Sequence, residues 1–254
     1  MPKDIDIFRD MLSHYLIRRL KEQVLKELPE KTRQAIPIFM EPAQQKLYDQ
    51  LIKDMYFEYG DTFVATPNAL ARTMRVRQLL ATPQIFGIPV IGGALRMLHD
   101  IAMEEISLSR PIAVFTPFTD AIPYIKLILE GLYKDNIWVL QGGMQANKIQ
   151  EVVDGFQSCK STVKAIICSI KSGVSQTITD AKTAIFVGYE WGPYDNDQAE
   201  SRLYRLGQHD NVRCLYLLHQ DCPPEQHMID ILNSKQQAIS FVLSPKEFYE
   251  ELVK

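Results

Sequence analysis

From about Gly92 onward, the chain alternates short β-rich runs with longer helical segments. The runs expected to be strands are Ile112–Phe115, Ile137–Leu140, Val163–Cys168, Ala184–Val187 and Val212–Leu218. The expected helices are Thr119–Leu132, Gln145–Phe156, Asn196–Arg205, Glu225–Phe241 and Lys246–Val253. Strands separated by helices of about ten residues or more require parallel crossovers. The pattern therefore predicts an α/β fold, in which helices flank a parallel sheet.

The loops that follow the strands are the places to look for function. In parallel α/β sheets, ligands bind beyond the carboxyl ends of the strands. In this chain those loops are residues 116–118, 141–144, 169–176 and 188–195.

Residues 1–92 have a different pattern, which is mainly helical. The elements expected here are a helix over Ile5–Leu28, a strand over Gln34–Met40, a helix from Pro42 to near Gly60, and a helix over Asn68–Leu80. Apolar residues at helical spacing and prolines at the boundaries support these assignments. We therefore expect two regions, residues 1–92 and residues 93–254.

Composition predicts a folded chain without a global signal for nucleic acid. Hydrophobic residues make up 46% of the sequence and the formal net charge is −3, so any DNA contact must come from local patches. One such patch is an interval without acids between Asp61 and Asp100, which contains Arg72, Arg75, Arg77 and Arg96.

Cysteine and histidine spacing gives no metal site. The four cysteines and five histidines do not form a zinc pattern, so we expect no bound metal of this kind and a reduced, intracellular setting. No run approaches the roughly 18 apolar residues of a membrane span, and the charged N-terminus does not read as a signal peptide.

The segment Gln198-Ala-Glu-Ser-Arg-Leu-Tyr-Arg-Leu-Gly-Gln208 carries the strongest chemical signal. On a helix, Gln198, Arg202 and Arg205 would share one face, and Gly207 would end the helix. Two guanidiniums on one face suit a phosphate chain, because each donates bidentate, charge-assisted hydrogen bonds. The alternative is a solvated helix face that happens to hold two arginines.

The segment before this helix favours the phosphate interpretation. Ala184-Ile-Phe-Val-Gly-Tyr-Glu-Trp-Gly-Pro193 is a buried strand followed by an acid, a tryptophan and a proline turn. In this order, the two segments closely resemble the last two helicase motifs of Swi/Snf-type ATPases, which belong to helicase superfamily two. The resemblance implies a RecA-like C-terminal lobe, nearest to the annealing-helicase branch.

Other segments extend the resemblance over nearly the whole chain. Residues Leu16 to Lys31 resemble the helical brace that leaves the first lobe, and Arg77 to Pro83 resemble part of the helical insertion. Ile112 to Thr119 look like the motif that opens the second lobe. Leu140-Gln-Gly-Gly143 resembles the next motif, in which Lys148 replaces the usual arginine.

The segment Cys168 to Lys182 resembles the motif-five loop with three departures. Ser175 stands where glycine is usual, Gln176 where leucine is usual, and Lys182 where an acid is usual. A loop of small and hydroxyl residues after a strand can offer backbone N–H groups to a DNA phosphate. Its alternative is a plain polar connection.

The resemblance assigns roles to individual residues. Arg205 would be the arginine finger that reaches the ATP held by the other lobe, Arg202 its companion, and Gln198 a residue that sets the position of the motif. Gly173 and Glu190 would line the nucleotide cleft. The implied contacts to the DNA backbone are Thr116, Gly143, Ser169 and Lys171, with Arg72, Arg75 and Arg77 as a secondary patch.

A phosphate-binding loop is missing from the sequence. The chain contains neither a Gly-Lys nor an Asp-Glu dipeptide, which the phosphate loop and the magnesium motif require. The resemblance therefore implies that ATP and Mg²⁺ are held mainly by an N-terminal RecA-like lobe, in cis or in trans, and that this chain alone does not hydrolyse ATP. Two other functions stay open, a non-catalytic nucleic-acid-binding module and a generic nucleotide-binding domain.

Overall fold

The computed structural model describes residues 28–172, 176–220 and 222–243, with side chains up to residue 235. Its elements are β1 (Lys31–Ile38), α1 (Pro42–Asp54), β2 (Tyr56–Tyr59), β3 (Thr62–Ala65), α2 (Ala69–Ala81), α3 (Gly93–Ser107), β4 (Ile112–Thr116), α4 (Ile122–Tyr133), β5 (Ile137–Leu140), α5 (Ala146–Ser158), β6 (Ala165–Ser169), β7 (Thr183–Phe186), α6 (Pro193–Glu200), β8 (Val212–His219) and α7 (Pro223–Leu243). Two 3-10 turns, Pro83–Phe86 and Thr119–Ala121, precede α3 and α4. The helices predicted at Ile5–Leu28 and Lys246–Val253 lie outside the described residues, apart from Leu28.

Six strands form one sheet in the order β1-β8-β7-β4-β6-β5, and every pairing in it is parallel. The predicted α/β fold is confirmed. All five strands expected in residues 93–254 are present, with bounds that shift by no more than two residues.

The strand expected at Gln34–Met40 is β1, which begins earlier, at Lys31. It pairs with β8 from Lys31 opposite Val212 to Ile38 opposite His219. Pro37 lies inside this strand, which a proline tolerates because β1 is at the edge of the sheet. The chain therefore contributes to the sheet of the RecA-like region before it enters the helices of residues 42–91.

Apolar clusters cover both faces of the sheet. On β4, Phe115 belongs to one cluster and Val114 to the other, and all five residues of the strand are buried. Strands buried on both faces appear in sequence as continuous apolar runs, which is why they were predictable. Within the described residues, no helix combines the length and the apolar character needed to cross a membrane.

The β2–β3 hairpin was not predicted. We expected the helix that starts at Pro42 to end near Gly60, but α1 stops at Asp54 because Met55 adopts a left-handed conformation, with φ 64°. The following residues pair as an antiparallel hairpin that turns at Gly60. Phe57, on this hairpin, is buried in a third apolar cluster with residues of α1 and α2.

A buried glutamine ties the helical insertion to the first helix of the RecA-like region. The side chain of Gln44 accepts a hydrogen bond from the backbone N–H of Gly93 at 3.0 Å and donates to the carbonyl of Leu79 at 2.8 Å. A Cβ at residue 93 would lie 1.9 Å from the carbonyl oxygen of Phe39, so only glycine fits there. This junction fixes α1 and α2 against the start of α3.

Candidate nucleotide and DNA site

The carboxyl ends of β6, β4 and β7 lie side by side, because β4 pairs in parallel with both neighbours. We call this end of the sheet its carboxyl edge. Thr116 is in register with Ser169 there, and the loop after β7 adjoins them. The predicted functional loops 116–118, 169–176 and 188–195 therefore begin at the same end of the sheet, as expected for parallel strands.

The candidate DNA contacts at this edge differ in exposure. Thr116 is fully buried, and its hydroxyl accepts a hydrogen bond from the N–H of Phe118 at 3.2 Å. Ser169 is 5% exposed. In contrast, Gly143 is exposed in the turn after β5, and the Lys171 side chain is 67% exposed. Of these predicted contacts, Gly143 and Lys171 are therefore the two that lie on the surface.

The helix predicted at Asn196–Arg205 is shorter than expected. The observed helix, α6, ends at Glu200, so the prediction that Gln198, Arg202 and Arg205 share one helix face is wrong. Arg202, Leu203 and Tyr204 are three consecutive buried residues. All three lie beyond the end of α6. The chain instead forms turns over residues 201–207, which we name the arginine turn.

Arg202 lies within the arginine turn, almost completely out of contact with solvent. It is 2% exposed, donates from Nη2 to the carbonyl of Ile170 at 2.7 Å, and lies 5.9 Å from the ring centre of Phe115. Its Nε and Nη1 atoms have no hydrogen-bond partner among the described residues. Burial lowers the pKa of Arg202, and the positive charge of Arg205 lowers it further.

Arg205 is more exposed than Arg202 and contacts the loop before β7. Its Nη1 atom donates to the hydroxyl of Thr177 at 2.7 Å. Gln208, three residues on, donates to the carbonyl of Thr179 at 2.8 Å and to that of Ala181 at 3.2 Å. Both side chains therefore join the arginine turn to residues 177–181.

A charged cluster fixes the end of α6 just before the arginine turn. The buried carboxylate of Glu200 accepts hydrogen bonds from Arg33 Nε at 2.7 Å, Tyr216 Oη at 2.7 Å and Lys31 Nζ at 3.2 Å. Burial raises the pKa of Glu200, but the charges of Arg33 and Lys31 outweigh burial and lower that pKa to about 2. Sequence reasoning missed this cluster, although the alternation of basic residues in β1 was a possible signal.

Glu190 lies in the turn after β7, as predicted, and forms an ion pair with Lys171 at 3.3 Å. The backbone of Glu190 is held by Asn196, whose side chain accepts from Glu190 N at 2.9 Å and donates to Glu190 O at 3.0 Å. Asn196 is a further residue that sequence reasoning missed.

Gln198 is partly buried on α6. Gly173 lies outside the described residues.

The arginines of α2 are engaged with the protein itself. Arg77 donates to the carbonyl of Tyr189 and lies 5.4 Å from the ring centres of both Phe118 and Trp191. Burial lowers the pKa of Arg77. Arg72 donates to the carbonyl of Ile52 at 3.3 Å, and the exposed Arg75 donates to Gln78 at 2.8 Å.

The described residues also show no cluster of side chains that could bind a metal ion. Within residues 28–172, 176–220 and 222–243, no group of three or more His, Cys, Asp or Glu side chains is placed to hold a metal ion.

Two family models match the chain. Residues 93–207 match the helicase conserved C-terminal domain, and residues 2–85 match the SNF2-related domain. An uncharacterized ATP-dependent helicase of Mycoplasma pneumoniae is 26% identical over 251 residues, which cover 94% of this chain and 23% of that protein. The human DNA annealing helicase and endonuclease ZRANB3 is 27% identical over 248 residues, which cover 96% of this chain and 22% of that protein. The chain thus spans less than a quarter of the length of these relatives.

Solved structures show the same fold. The Sulfolobus solfataricus SWI2/SNF2 ATPase core in complex with double-stranded DNA has a TM-score of 0.64 at 23% identity, over 92% of this chain and 50% of that one. The C-terminal domain of the same ATPase has a TM-score of 0.63 at 16% identity, over 87% of this chain and 92% of that one.

The parallel sheet has the fold of the C-terminal domain of the solved SWI2/SNF2 ATPase, and residues 93–207 match the helicase conserved C-terminal domain. Among helicase-type proteins, the match of residues 2–85 to the SNF2-related domain indicates the Swi/Snf type. The chain is similar to Swi/Snf-type helicases in both of these regions, and the similarity to ZRANB3 agrees with the resemblance to annealing helicases.

Proposed function

We propose that this chain is the second motor lobe of an ATP-dependent DNA translocase, which completes an ATP site on a separate RecA-like lobe. The observation that carries the proposal is the arginine turn. Arg202 and Arg205 lie three residues apart in that turn; burial is the main cause that lowers the pKa of Arg202, and the charge of Arg205 adds to it. Two cations that repel each other are stabilised by an anion beside them, and a triphosphate is such an anion.

Arg205 is the residue that we assign to the phosphates. Its side chain is partly exposed, whereas Arg202 is buried beside it. A guanidinium that reaches a transferring phosphoryl group neutralises the charge that develops in the transition state. Gln198, on α6, helps to set the position of the arginine turn. Glu190 lies in the loop after β7 and would line the nucleotide cleft.

The rest of the ATP site belongs to the first lobe, supplied in cis or in trans. Because this sequence has neither a Gly-Lys nor an Asp-Glu dipeptide, we assign the phosphate loop and the Mg²⁺ ligands to that lobe. The expected chemistry is ATP hydrolysis that needs both lobes, and this chain alone is inactive.

We propose that this motor moves along DNA. The contacts that the structure supports best are Gly143 and Lys171, which are exposed at the carboxyl edge. Thr116 and Ser169 are buried and would act by fixing the loop backbone, whose N–H groups can bind phosphates. Contacts to phosphates make binding insensitive to base sequence and sensitive to salt.

The alternative, a non-catalytic nucleic-acid-binding module, depended on the arginines between Asp61 and Asp100. Arg72 and Arg77 bond to carbonyls of the protein, and Arg96 is paired with Glu41 at 2.8 Å. These bonds direct the guanidiniums of Arg72 and Arg77 toward the protein and give Arg96 an acidic partner, so this alternative has less support than the motor.

Reconstitution tests the motor proposal. Purified chain is combined with its ATP-binding lobe, and phosphate release is measured with and without duplex DNA. We expect hydrolysis only when both lobes are present, with stimulation by DNA. ATP hydrolysis by this chain alone, or by the ATP-binding lobe alone at the rate of the two lobes together, would contradict the proposal.

Lys171→Ala is expected to weaken DNA binding and to flatten its salt dependence. Each phosphate contact contributes about 0.9 to the slope of log K against log salt, so the slope should fall by about one. The measurement is fluorescence anisotropy with a short duplex at several salt concentrations. The matched control is Lys160→Ala, which removes an exposed lysine at the opposite edge of the sheet. An unchanged slope for Lys171→Ala would remove Lys171 from the DNA interface.

A further inference from the structure

The β2–β3 hairpin has one face against the core and one face in solvent. Successive residues of a strand alternate between faces, and residues directly opposite each other share a face. Phe57 points to the inner face, where it is fully buried in the third apolar cluster. The outer face therefore carries Tyr56 and Glu58 of β2, together with Phe63 of β3, which lies directly opposite Glu58.

Two aromatic rings lie side by side on this outer face. The ring centres of Tyr56 and Phe63 are 5.4 Å apart, and the ring planes are tilted by 35°. Tyr56 is 40% exposed and Phe63 is 60% exposed. A cross-strand aromatic pair stabilises a hairpin, but rings that stay this exposed also offer apolar surface that a partner can cover.

The charge around the two rings is acidic. Residues 54–65 contain three acids and neither Lys nor Arg. The acids are Asp54, Glu58 and Asp61, and all three are exposed. None of them forms an ion pair with another residue in the part of the chain that the structure describes. The hairpin therefore attracts cations and repels phosphate.

An Arg or Lys side chain fits this combination of groups. A cation placed over an aromatic ring is attracted by the ring quadrupole, and a carboxylate accepts a charge-assisted hydrogen bond from the same cation. Because Glu58 is directly opposite Phe63, its carboxylate and the Phe63 ring can contact one side chain of a partner.

We propose that the outer face of the β2–β3 hairpin docks a basic segment of another protein. An Arg or Lys of that segment lies against the rings of Tyr56 and Phe63, and Glu58 pairs with its charge. Asp54 and Asp61 attract the basic residues on either side. The surface uses no residue of the proposed nucleotide or DNA site, so this proposal stands apart from the proposed function.

The test measures binding of a fluorescent peptide in which arginine alternates with glycine. Anisotropy is recorded with the purified chain at low salt, and the comparison peptide has glutamate in place of arginine. We expect only the arginine peptide to bind. Glu58→Gln and Phe63→Leu should each raise its Kd about threefold, since each removes one exposed contact. Tyr56→Phe keeps the ring and should leave the Kd unchanged.

Matched controls separate this surface from the net negative charge of the chain. Asp135→Asn removes an exposed acid elsewhere, and Tyr194→Leu removes a ring that is 64% exposed on α6. Both variants should bind the arginine peptide as the parent does. An equal loss in the controls and in the hairpin variants would mean that the peptide is attracted without a site, and the proposal would be wrong.

Hydrogen exchange shows whether the hairpin itself is kept. The amides between β2 and β3 should keep their protection in Glu58→Gln and in Phe63→Leu. If Phe63→Leu loses that protection, Glu58→Gln decides, because it changes only an exposed side chain. Parental affinity in Glu58→Gln, or a parental chain that does not bind the arginine peptide, would overturn the proposal. Binding of single-stranded DNA that depends on Tyr56 and Phe63 would also overturn it, because the rings would then stack on bases.

Discussion

Arg205→Ala is expected to lower the DNA-stimulated rate of ATP hydrolysis of the assembled motor by about a thousandfold or more. The reason is electrostatic, because a guanidinium beside the transferring phosphoryl group stabilises charge that is absent from the ground state. The loss should therefore appear mainly in kcat. The measurement is steady-state phosphate release by the two lobes together with saturating duplex DNA.

The fold should survive this substitution. Arg205 is only partly buried and donates a hydrogen bond to the hydroxyl of Thr177, so we expect its loss to shift the unfolding midpoint only slightly. Arg205→Lys keeps the charge but loses the planar fork, and we expect it to recover little of the rate. A variant without Arg205 that hydrolyses ATP at the parental rate would show that this side chain is not the finger.

The sheet was predictable because its inner strands β4, β6 and β7 are buried on both faces. Apolar runs such as Ile112–Phe115 can be recognised without knowing their neighbours, and the helices between them fix parallel pairing. The position of the loops that we predicted to be functional followed from the rule that ligands bind beyond the carboxyl ends of parallel strands. What the sequence did not specify was the order of the strands, which the structure gives as β1-β8-β7-β4-β6-β5.

The arginine turn shows where periodicity misleads. Gln198, Arg202 and Arg205 have helical spacing, but α6 ends at Glu200, and Arg202, Leu203 and Tyr204 are buried in the turns that follow. Residue spacing along the sequence predicts a shared face only when one helix continues through all of the residues. It contains no information about the carbonyl of Ile170, which is distant in sequence and binds Arg202 in the structure.

The arginines of α2 illustrate a second limit. An interval without acids suggests a basic surface, yet Arg77 is directed at a carbonyl and two aromatic rings of the protein. Charge counted along the sequence does not say which charges face solvent. Burial and hydrogen bonding decide that, and both depend on the packing of α2 against the loops after β4 and β7.

The second large effect is expected from Glu200→Gln, which should lower the free energy of unfolding by about 3–5 kcal/mol at neutral pH. The substitution keeps the shape of the side chain but leaves the Arg33 guanidinium, which is 8% exposed, without its buried counter-charge. The pKa of Glu200 gives a similar figure. A fall from the ordinary 4.5 to about 2 corresponds to about 3 kcal/mol.

The pH dependence of this loss distinguishes a lost charge from a lost contact. Because the folded pKa of Glu200 is below the unfolded value, its contribution is complete above about pH 4.5 and is lost as pH falls toward 2. The difference between the parent and Glu200→Gln in denaturant unfolding should narrow over that window. In the double variant Arg33→Met/Glu200→Met, most of the stability should return, since apolar side chains of similar length can replace a buried ion pair. A loss below about 1 kcal/mol, or one that is constant from pH 7 to pH 3, would mean that the Glu200 charge is not what fixes β1 to the end of α6.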